Sequence, residues 1–169
     1  GIDNNCDGII GQSAYVFDTS TSGHIGSCVI REDQTMDCYH TYNPDVSIRN
    51  TPIIAVDMHK SSYCWLDSAG TVQCQGVLGN LSQTITGQVQ IAVGSNHGCA
   101  LDSQGTVTCW GFNDKGQISP IPNNGSYVQI AAGNDISCGL QNTGAVTCWG
   151  GYYYTPVISG DFISVATGK

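Results

Sequence analysis

The stretch "CALDSQGTVTCWG", residues 99–111, decides the fold, because its two cysteines stand ten positions apart. If Cys99 faces Cys109 across two antiparallel strands, a three-residue loop remains, with Gly105 at its last position. That position needs a positive φ, which glycine adopts without steric cost. Opposed residues in such a pair have Cβ atoms about 4.5–5.5 Å apart, so a small adjustment closes a disulfide. The spacing therefore predicts a β-hairpin closed by a cross-strand disulfide.

The same cysteine spacing occurs three more times, at 28–40 ("CVIREDQTMDCYH"), 64–76 ("CWLDSAGTVQCQG") and 138–150 ("CGLQNTGAVTCWG"). The 28–40 copy lacks the turn glycine. A zinc site is the alternative, but its paired ligands stand closer together, and the unit has no regular second pair. Eight of the nine cysteines are therefore assigned to four disulfides: Cys28–Cys38, Cys64–Cys74, Cys99–Cys109 and Cys138–Cys148. Cys6 is left unpaired.

An apolar segment accompanies each of the later hairpins. The copies are "IIAVD" at 53–57, "VQIAVG" at 89–94, "VQIAAG" at 128–133 and "FISVATG" at 162–168, and no hairpin follows the last. Self-similarity with a period of 35–39 residues between first cysteines indicates a repeat architecture. Short apolar runs separated by glycine and polar turn residues predict short strands. A repeated sheet of about four strands that buries a face on its neighbour is a propeller blade or a solenoid rung.

We therefore expect an all-β fold, with a remnant of a motif or a linker over 1–13 and a repeat domain over 14–169. The expected units are about 14–52, 53–88, 89–127 and 128–161, with a trailing strand over 162–169. A less regular fourth strand is expected around "YVQI" or "YYYTPVIS".

Composition restricts the function. Disulfides persist in oxidising surroundings, which indicates an extracellular or cell-surface protein. Five basic residues against thirteen acidic ones give a net charge of −8, which excludes a phosphate-binding patch and hence nucleic acid. No apolar run approaches the length of about 18 residues that a membrane span requires. No nucleophile elbow, zinc-protease motif or P-loop occurs, so we expect no enzyme.

Residues 89–117 ("VQIAVGSNHGCALDSQGTVTCWGFNDKGQ") and 128–150 ("VQIAAGNDISCGLQNTGAVTCWG") resemble repeats of the regulator-of-chromosome-condensation type. That resemblance implies a β-propeller, which has seven blades in this family. The disulfide-paired variant resembles that of secreted bacterial proteins. Four hairpins are too few for a seven-bladed ring, so we expect an incomplete ring or a piece of a larger assembly. The basic nuclear exchange activity of the founding member does not carry over, because the charge and the compartment differ.

The first residues, "GIDNNCDG" at 1–8, resemble an acidic, cysteine-containing cation-binding motif of secreted bacterial surface proteins. Asp3, Asn5 and Asp7 place oxygen ligands at alternate positions, as in the first half of a calcium loop. The glutamate of the twelfth position is absent, so a turn rich in Asn and Asp remains the alternative. Calcium is the one cofactor that the sequence suggests, and none is required. The odd Cys6 indicates an intermolecular bond or a missing partner segment.

Two segments are candidate interfaces. In a strand, Tyr152 and Tyr154 would share one face and Tyr153 the other, so one phenol would reach the surface, with plain packing as the alternative. The trailing strand would present an unpaired edge, which invites pairing with another chain. Its candidate contact residues are Phe162, Ile163 and Val165.

These features predict an extracellular structural or assembly protein, a disulfide-stabilised propeller-like module that forms a surface or fibre component through strand-edge and loop contacts. Its partners would be other copies of itself or the rest of a longer chain. The alternative is a secreted propeller that binds a protein or a glycan. His59 and His97, before first cysteines, are expected to make structural hydrogen bonds in their turns. Trp110 and Trp149 are expected to cover the disulfides and to pack one blade on the next.

Overall fold

The computed structural model describes residues 15–18, 26–40, 46–60, 62–78, 85–122, 125–151 and 157–168. They form four antiparallel sheets, one for each cysteine pair, and the predicted all-β class is confirmed. The strands are β1 Tyr15–Asp18, β2 Gly26–Ile30, β3 Met36–His40 and β4 Val46–Ile48 in the first sheet, β5 Ile53–His59, β6 Ser62–Asp67 and β7 Val72–Gln75 in the second, β8 Gln88–Val93, β9 His97–Asp102 and β10 Val107–Gly111 in the third, and β11 Tyr127–Ala132, β12 Ile136–Gln141 and β13 Val146–Gly150 in the fourth. A 3₁₀ turn, Gly76–Leu78, follows β7.

Each cysteine pair closes a hairpin. Cys99 stands opposite Cys109, and the pair is bonded, as are the pairs Cys28–Cys38, Cys64–Cys74 and Cys138–Cys148. The paired Cα atoms lie 4.0–4.1 Å apart, which is typical of the narrow, non-hydrogen-bonded positions of an antiparallel ladder. The hairpin register predicted from the sequence is therefore confirmed.

The hairpin turns have the predicted backbone. Gly105 has a φ of 86°, and the Asp102 carboxylate accepts the amide N–H groups of Gln104 and Thr106 at 2.9 and 2.8 Å. The first hairpin lacks the glycine, yet Gln34 takes the same left-handed conformation there, with a φ of 62°. The turn geometry is therefore retained in the hairpin whose sequence departs most from the repeat.

The core lies between consecutive sheets. Each of three clusters joins the disulfide of one sheet to the first strand of the next. Between the third and fourth sheets, Cys99 and Leu101 pack against Tyr127, Ile130 and Trp149. The predicted packing of tryptophan between sheets is observed, because Trp149 is buried here and Trp110 packs against the preceding cluster.

A fourth strand was expected in each repeat, and the structure shows a different distribution of these strands. Among the described residues, a complete fourth strand, β4, occurs in the first sheet alone, although the sequence of this repeat is the least regular of the four. In the second and fourth sheets, Ile85 and Ile158 form single bridges to the third strand. The segment "YVQI" is not a fourth strand, because Tyr127 begins β11, the first strand of the next sheet.

Several predicted residues lie outside the described part of the chain: Asp3, Asn5, Cys6, Asp7, Tyr152, Tyr153 and Tyr154. Within the described part, no helix is long and apolar enough to cross a membrane.

Candidate interface at the open end of the repeats

One backbone hydrogen bond recurs between consecutive sheets. The first residue of each new sheet donates its N–H to the carbonyl of the left-handed turn residue in the preceding hairpin. The pairs are Ile53 with Gln34 at 2.8 Å, Gln88 with Gly70 at 3.0 Å and Tyr127 with Gly105 at 3.1 Å. The turn residue therefore has two functions, since it closes its own hairpin and receives the next sheet.

The segment 162–168 makes the same bond to the fourth sheet. The Phe162 N–H donates to the Gly144 carbonyl at 3.1 Å, and Gly144 is the left-handed turn residue of that hairpin, with a φ of 82°. The predicted trailing strand is not part of any ladder among the described residues. It lies instead where the first strand of a fifth sheet would begin.

A second repeated contact supports this placement. Within the stack, the Gln90 side chain accepts the Ile130 N–H and donates to the Ile130 carbonyl, both at 3.0 Å. Gln129 occupies the same position one repeat later, and its Oε1 accepts the Val165 N–H at 2.9 Å. The Val165 N–H is therefore bound by Gln129 as the Ile130 N–H is bound by Gln90.

Close glycine contacts also repeat at this end. A Cβ at Gly94 would lie 2.4 Å from the Gly133 carbonyl oxygen, and a Cβ at Gly133 would lie 2.6 Å from the Gly168 carbonyl oxygen. Both distances are too short for any side chain. The backbone of 162–168 thus approaches the fourth sheet as closely as the fourth approaches the third.

The side chains of this segment differ from their equivalents in exposure. Phe162 is 43 % exposed and Ile163 is 94 % exposed. Ile53 and Tyr127, which occupy the Phe162 position in earlier repeats, are buried. The difference arises because no hairpin among the described residues covers the segment. We call residues 157–168, with Val157 and Ile158 also half-exposed, the open end.

At the opposite end of the stack, no further sheet of the described residues packs on the outer face of the first sheet, which we call its free face. Tyr39 follows its second cysteine, as Trp110 and Trp149 follow theirs, but it is 49 % exposed. Asp37 lies on the same face of β3, because side chains alternate along a strand.

Asp37 is buried between two basic side chains. It accepts hydrogen bonds from the guanidinium groups of Arg31 and Arg49, and the Ser47 hydroxyl donates to it at 2.6 Å. The Ser47 hydrogen bond, with the two arginines, lowers the pKa of Asp37 to about 2. The carboxylate therefore stays charged, and the guanidinium groups on this face remain half-exposed.

His97 bonds between sheets rather than within its turn. Its Nε2 lies 2.9 Å from the Ser137 hydroxyl of the next sheet, and that hydroxyl donates to the Gln117 carbonyl at 2.9 Å. The ring is buried, and burial lowers its pKa to about 4. His59 is not its equivalent, because His59 ends β5 while His97 begins β9. In the described residues, no three His, Cys, Asp or Glu side chains cluster as metal ligands.

A row of exposed apolar side chains on the first strands was not predicted from the sequence. The first strands of the second, third and fourth sheets have a β-bulge at their second residue, and the residues concerned are Ile54, Val89 and Val128, all about half-exposed. Ile163 has the same repeat position and is the fourth member of the row. All four apolar segments have a β-branched residue here, so the position could be recognised in the sequence. Strand alternation could not show that its side chain is exposed, because the bulge interrupts the alternation.

An uncharged groove of about 530 Å³ lies between the third hairpin turn and the start of β11. It is lined by Gln104, Thr106, Ile121 and Tyr127, among others. The Tyr127 hydroxyl donates to the Pro122 carbonyl at 2.7 Å across its wall.

Comparison with known proteins supports the repeat assignment. The family model for the regulator of chromosome condensation (RCC1) repeat matches residues 88–117 and 127–151. No curated protein sequence matches the chain.

Solved structures resemble the fold. The ectodomain of the receptor kinase CR4 from Physcomitrella patens is 25 % identical, with a TM-score of 0.66 over 85 % of this chain and 42 % of its own. The CRINKLY WD40 ectodomain of the receptor kinase ACR4 from Arabidopsis thaliana is 20 % identical, with a TM-score of 0.67 over 85 % and 55 %. Prp20p from Saccharomyces cerevisiae, described with its binding to Gsp1p and histones, is 18 % identical, with a TM-score of 0.62 over 74 % and 41 %. This chain therefore spans about half the length of each, and contains RCC1-type repeats within a propeller-like fold.

Proposed function

We propose that this chain is an extracellular, non-catalytic assembly module, which joins other protein through its open end to form a surface or fibre component. The observation that carries the proposal is the position of Phe162–Gly168. Its backbone is held as a first strand, but its apolar side chains are exposed and no second strand among the described residues pairs with it. An unpaired strand of this kind is a template for strand addition.

The extracellular location is supported by the four disulfides, which suit an oxidising compartment. The likeness to a receptor-kinase ectodomain points to the same compartment. Durable assemblies outside the cell also benefit from such bracing, because each ten-residue loop closed by a disulfide stabilises the fold by about 2–3 kcal/mol in the chain-entropy model.

The test is the particle mass as a function of concentration, measured by light scattering and checked by electron microscopy. We expect multimers whose mass rises with concentration. Phe162→Asp should weaken the association by about tenfold or more, because the residues at its repeat position, Ile53 and Tyr127, are buried where a hairpin covers them. Ile163→Asp is the matched control, since the residue at its repeat position within the stack, Val128, stays half-exposed. A monomer at all concentrations would remove the proposal.

A binding module is the second candidate. It is supported by the resemblance to Prp20p, which binds Gsp1p and histones, and by the uncharged groove beside Tyr127. Saturable binding of a protein or a glycan by the monomer would favour it. Tyr127 supports the core, so the groove is better tested with Gln104→Ala and Thr106→Ala, both at its rim.

A further inference from the structure

Residues 162–168 of the open end, which we call the open segment, have the residue pattern of a first strand. "FISVATG" at 162–168 matches "YVQIAAG" at 127–133 position by position: an aromatic residue, a β-branched one, a polar one, a β-branched one, alanine, a small residue and glycine. In the third and fourth sheets, such a strand pairs with the first strand of the cysteine hairpin, β9 or β12. The segment therefore fits a hairpin of the kind that this chain itself contains.

The first sheet has the first strand that departs most from this pattern. The residue opposite the first cysteine is Ala92 in the third sheet and Ala131 in the fourth, and Asp57 in the second. In the first sheet it is Val16, which faces Cys28. In the open segment, the residue at the position equivalent to Ala131 is Ala166. By residue type, Phe162–Gly168 is thus a closer match to the cysteine hairpin than β1 is.

We propose that Phe162–Gly168 of one copy pairs with β2 of a second copy, in place of the β1 of that copy. This inference rests on the proposed assembly function and names its partner. In the exchanged sheet, Val165 faces Val29, Ala166 faces Cys28 and Thr167 faces Ser27. Phe162–Gly168 replaces β1 along the same length of β2, so β2 loses no backbone hydrogen bond in the exchange.

Burial drives the exchange. The hairpin of the second copy covers Phe162 and Val165, whose equivalents in the earlier repeats are buried by their own hairpins. At the same time, Tyr39 of the second copy packs against the Cys138–Cys148 disulfide, as Trp149 packs against Cys99 within the chain. Both exposed ends of the stack are therefore closed by one contact.

Charge makes only a small contribution to this contact. Arg31 and Arg49 lie on the free face of the first sheet, but both are ion-paired to Asp37, and two exposed acidic residues stand in the adjacent turn. The open end carries the exposed carboxylate of Asp161. Burial of apolar side chains is therefore the main driving force.

Two double-cysteine variants test the exchange. In Ser27→Cys/Thr167→Cys, the exchanged ladder puts the new thiols opposite each other on different chains. We expect covalent multimers on non-reducing gels, with a 27–167 cross-linked peptide in the mass spectrum. In Phe17→Cys/Ser27→Cys, the two residues face each other in the monomer, so their disulfide fixes β1 on β2. We expect this variant to remain folded and to lose association.

The controls separate this proposal from the proposed function. Ser27→Cys alone should associate as the wild type does, and circular dichroism should show the same fold for all variants. If the locked variant associates like the wild type, or if assembled particles give no 27–167 link, strand exchange is wrong while the assembly function stands. If the wild type never associates, both are wrong.

Discussion

Gln90 holds both backbone groups of Ile130 across the boundary between the third and fourth sheets. The side-chain Oε1 accepts the Ile130 N–H and Nε2 donates to the Ile130 carbonyl, each at 3.0 Å. The same position one repeat later, Gln129, binds Val165. A glutamine therefore acts as the hydrogen-bonding partner that joins one sheet to the next, including the join to the open segment.

Replacing Gln90 by Ala should destabilise the chain by about 1–3 kcal/mol, because two backbone groups in a partly buried position lose their partner. Chemical denaturation followed by circular dichroism measures the change. Gln104→Ala is the control, since Gln104 is exposed and, within the described part of the chain, its side chain bonds the neighbouring Ser103 hydroxyl. Equal unfolding midpoints for the two variants would contradict the assigned role.

Gly105→Ala should cost more than Gly87→Ala, although both glycines have a positive φ, of 86° and 76°. A Cβ at Gly105 would lie 2.8 Å from the Tyr127 carbonyl oxygen, whereas a Cβ at Gly87 would have nothing within 4 Å. We expect about 1–2 kcal/mol for Gly87→Ala from the left-handed backbone alone, and a larger loss for Gly105→Ala. Urea unfolding midpoints measure both, and similar losses would show that the next sheet does not press on the turn.

Protonation of His97 should weaken the fold in mild acid. Its pKa in the folded chain is about 4, below the ordinary value of 6.5, so the unfolded chain binds the proton first as the pH falls. The contribution of the neutral ring is complete above pH 6.5 and is lost progressively toward pH 4. Burial causes the shift; the charge of Asp135 opposes it and His59 adds to it.

The loss should amount to about 3 kcal/mol at most, since each unit of pKa shift corresponds to about 1.4 kcal/mol. Asp37 contributes little in this window, because its pKa is lowered from 3.8 to about 2 and its stabilisation is lost mainly below pH 3.8. His97→Gln keeps an amide nitrogen near Ser137 and cannot titrate. Its unfolding free energy should therefore vary less between about pH 7 and about pH 4.5. Parallel curves for variant and wild type would rule out this assignment.

Tyr39→Ala should weaken association by about tenfold, because a large aromatic side chain at the centre of an interface carries much of its energy. Phe112→Ala is the control, since Phe112 is 55 % exposed but has no role in the proposed contact. Concentration-dependent light scattering measures both. An equal effect of the two substitutions would point to general surface hydrophobicity rather than to the free face of the first sheet.

The sequence predicted the hairpins in detail because their determinants are local. The ten-residue cysteine spacing sets the register, and Gly105 sets the turn, so Leu101 opposite Val107 follows without tertiary information. The first hairpin shows the limit of this reasoning. Gln34 takes a conformation that favours glycine, because the three-residue loop of its own hairpin requires it. The bond from the Ile53 N–H to the Gln34 carbonyl comes from the next sheet and is not visible in residues 28–40.

The contacts between sheets were less predictable, because they join residues about forty positions apart. His97 was expected to bond within its turn, but its partner is Ser137 in the next sheet. The trailing segment was expected to be a strand; it pairs with no other strand of the described residues and instead lies on the fourth sheet, hydrogen-bonded to Gly144 and Gln129. The repeat alignment contained the second relationship, since Gly144 and Gln129 have equivalents in the earlier repeats, but not the first, since no other hairpin has a histidine two residues before its first cysteine.

Hydrogen–deuterium exchange of residues 161–168, followed as the concentration is raised through the association range, tests the central claim most directly. In the monomer, the Phe162 and Val165 amides are hydrogen-bonded and should exchange more slowly than those of Ile163 and Ser164. On association, the whole segment should become protected to the degree seen in β8 and β11. Association without any added protection of this segment would contradict the claim that the open end is where one molecule joins the next.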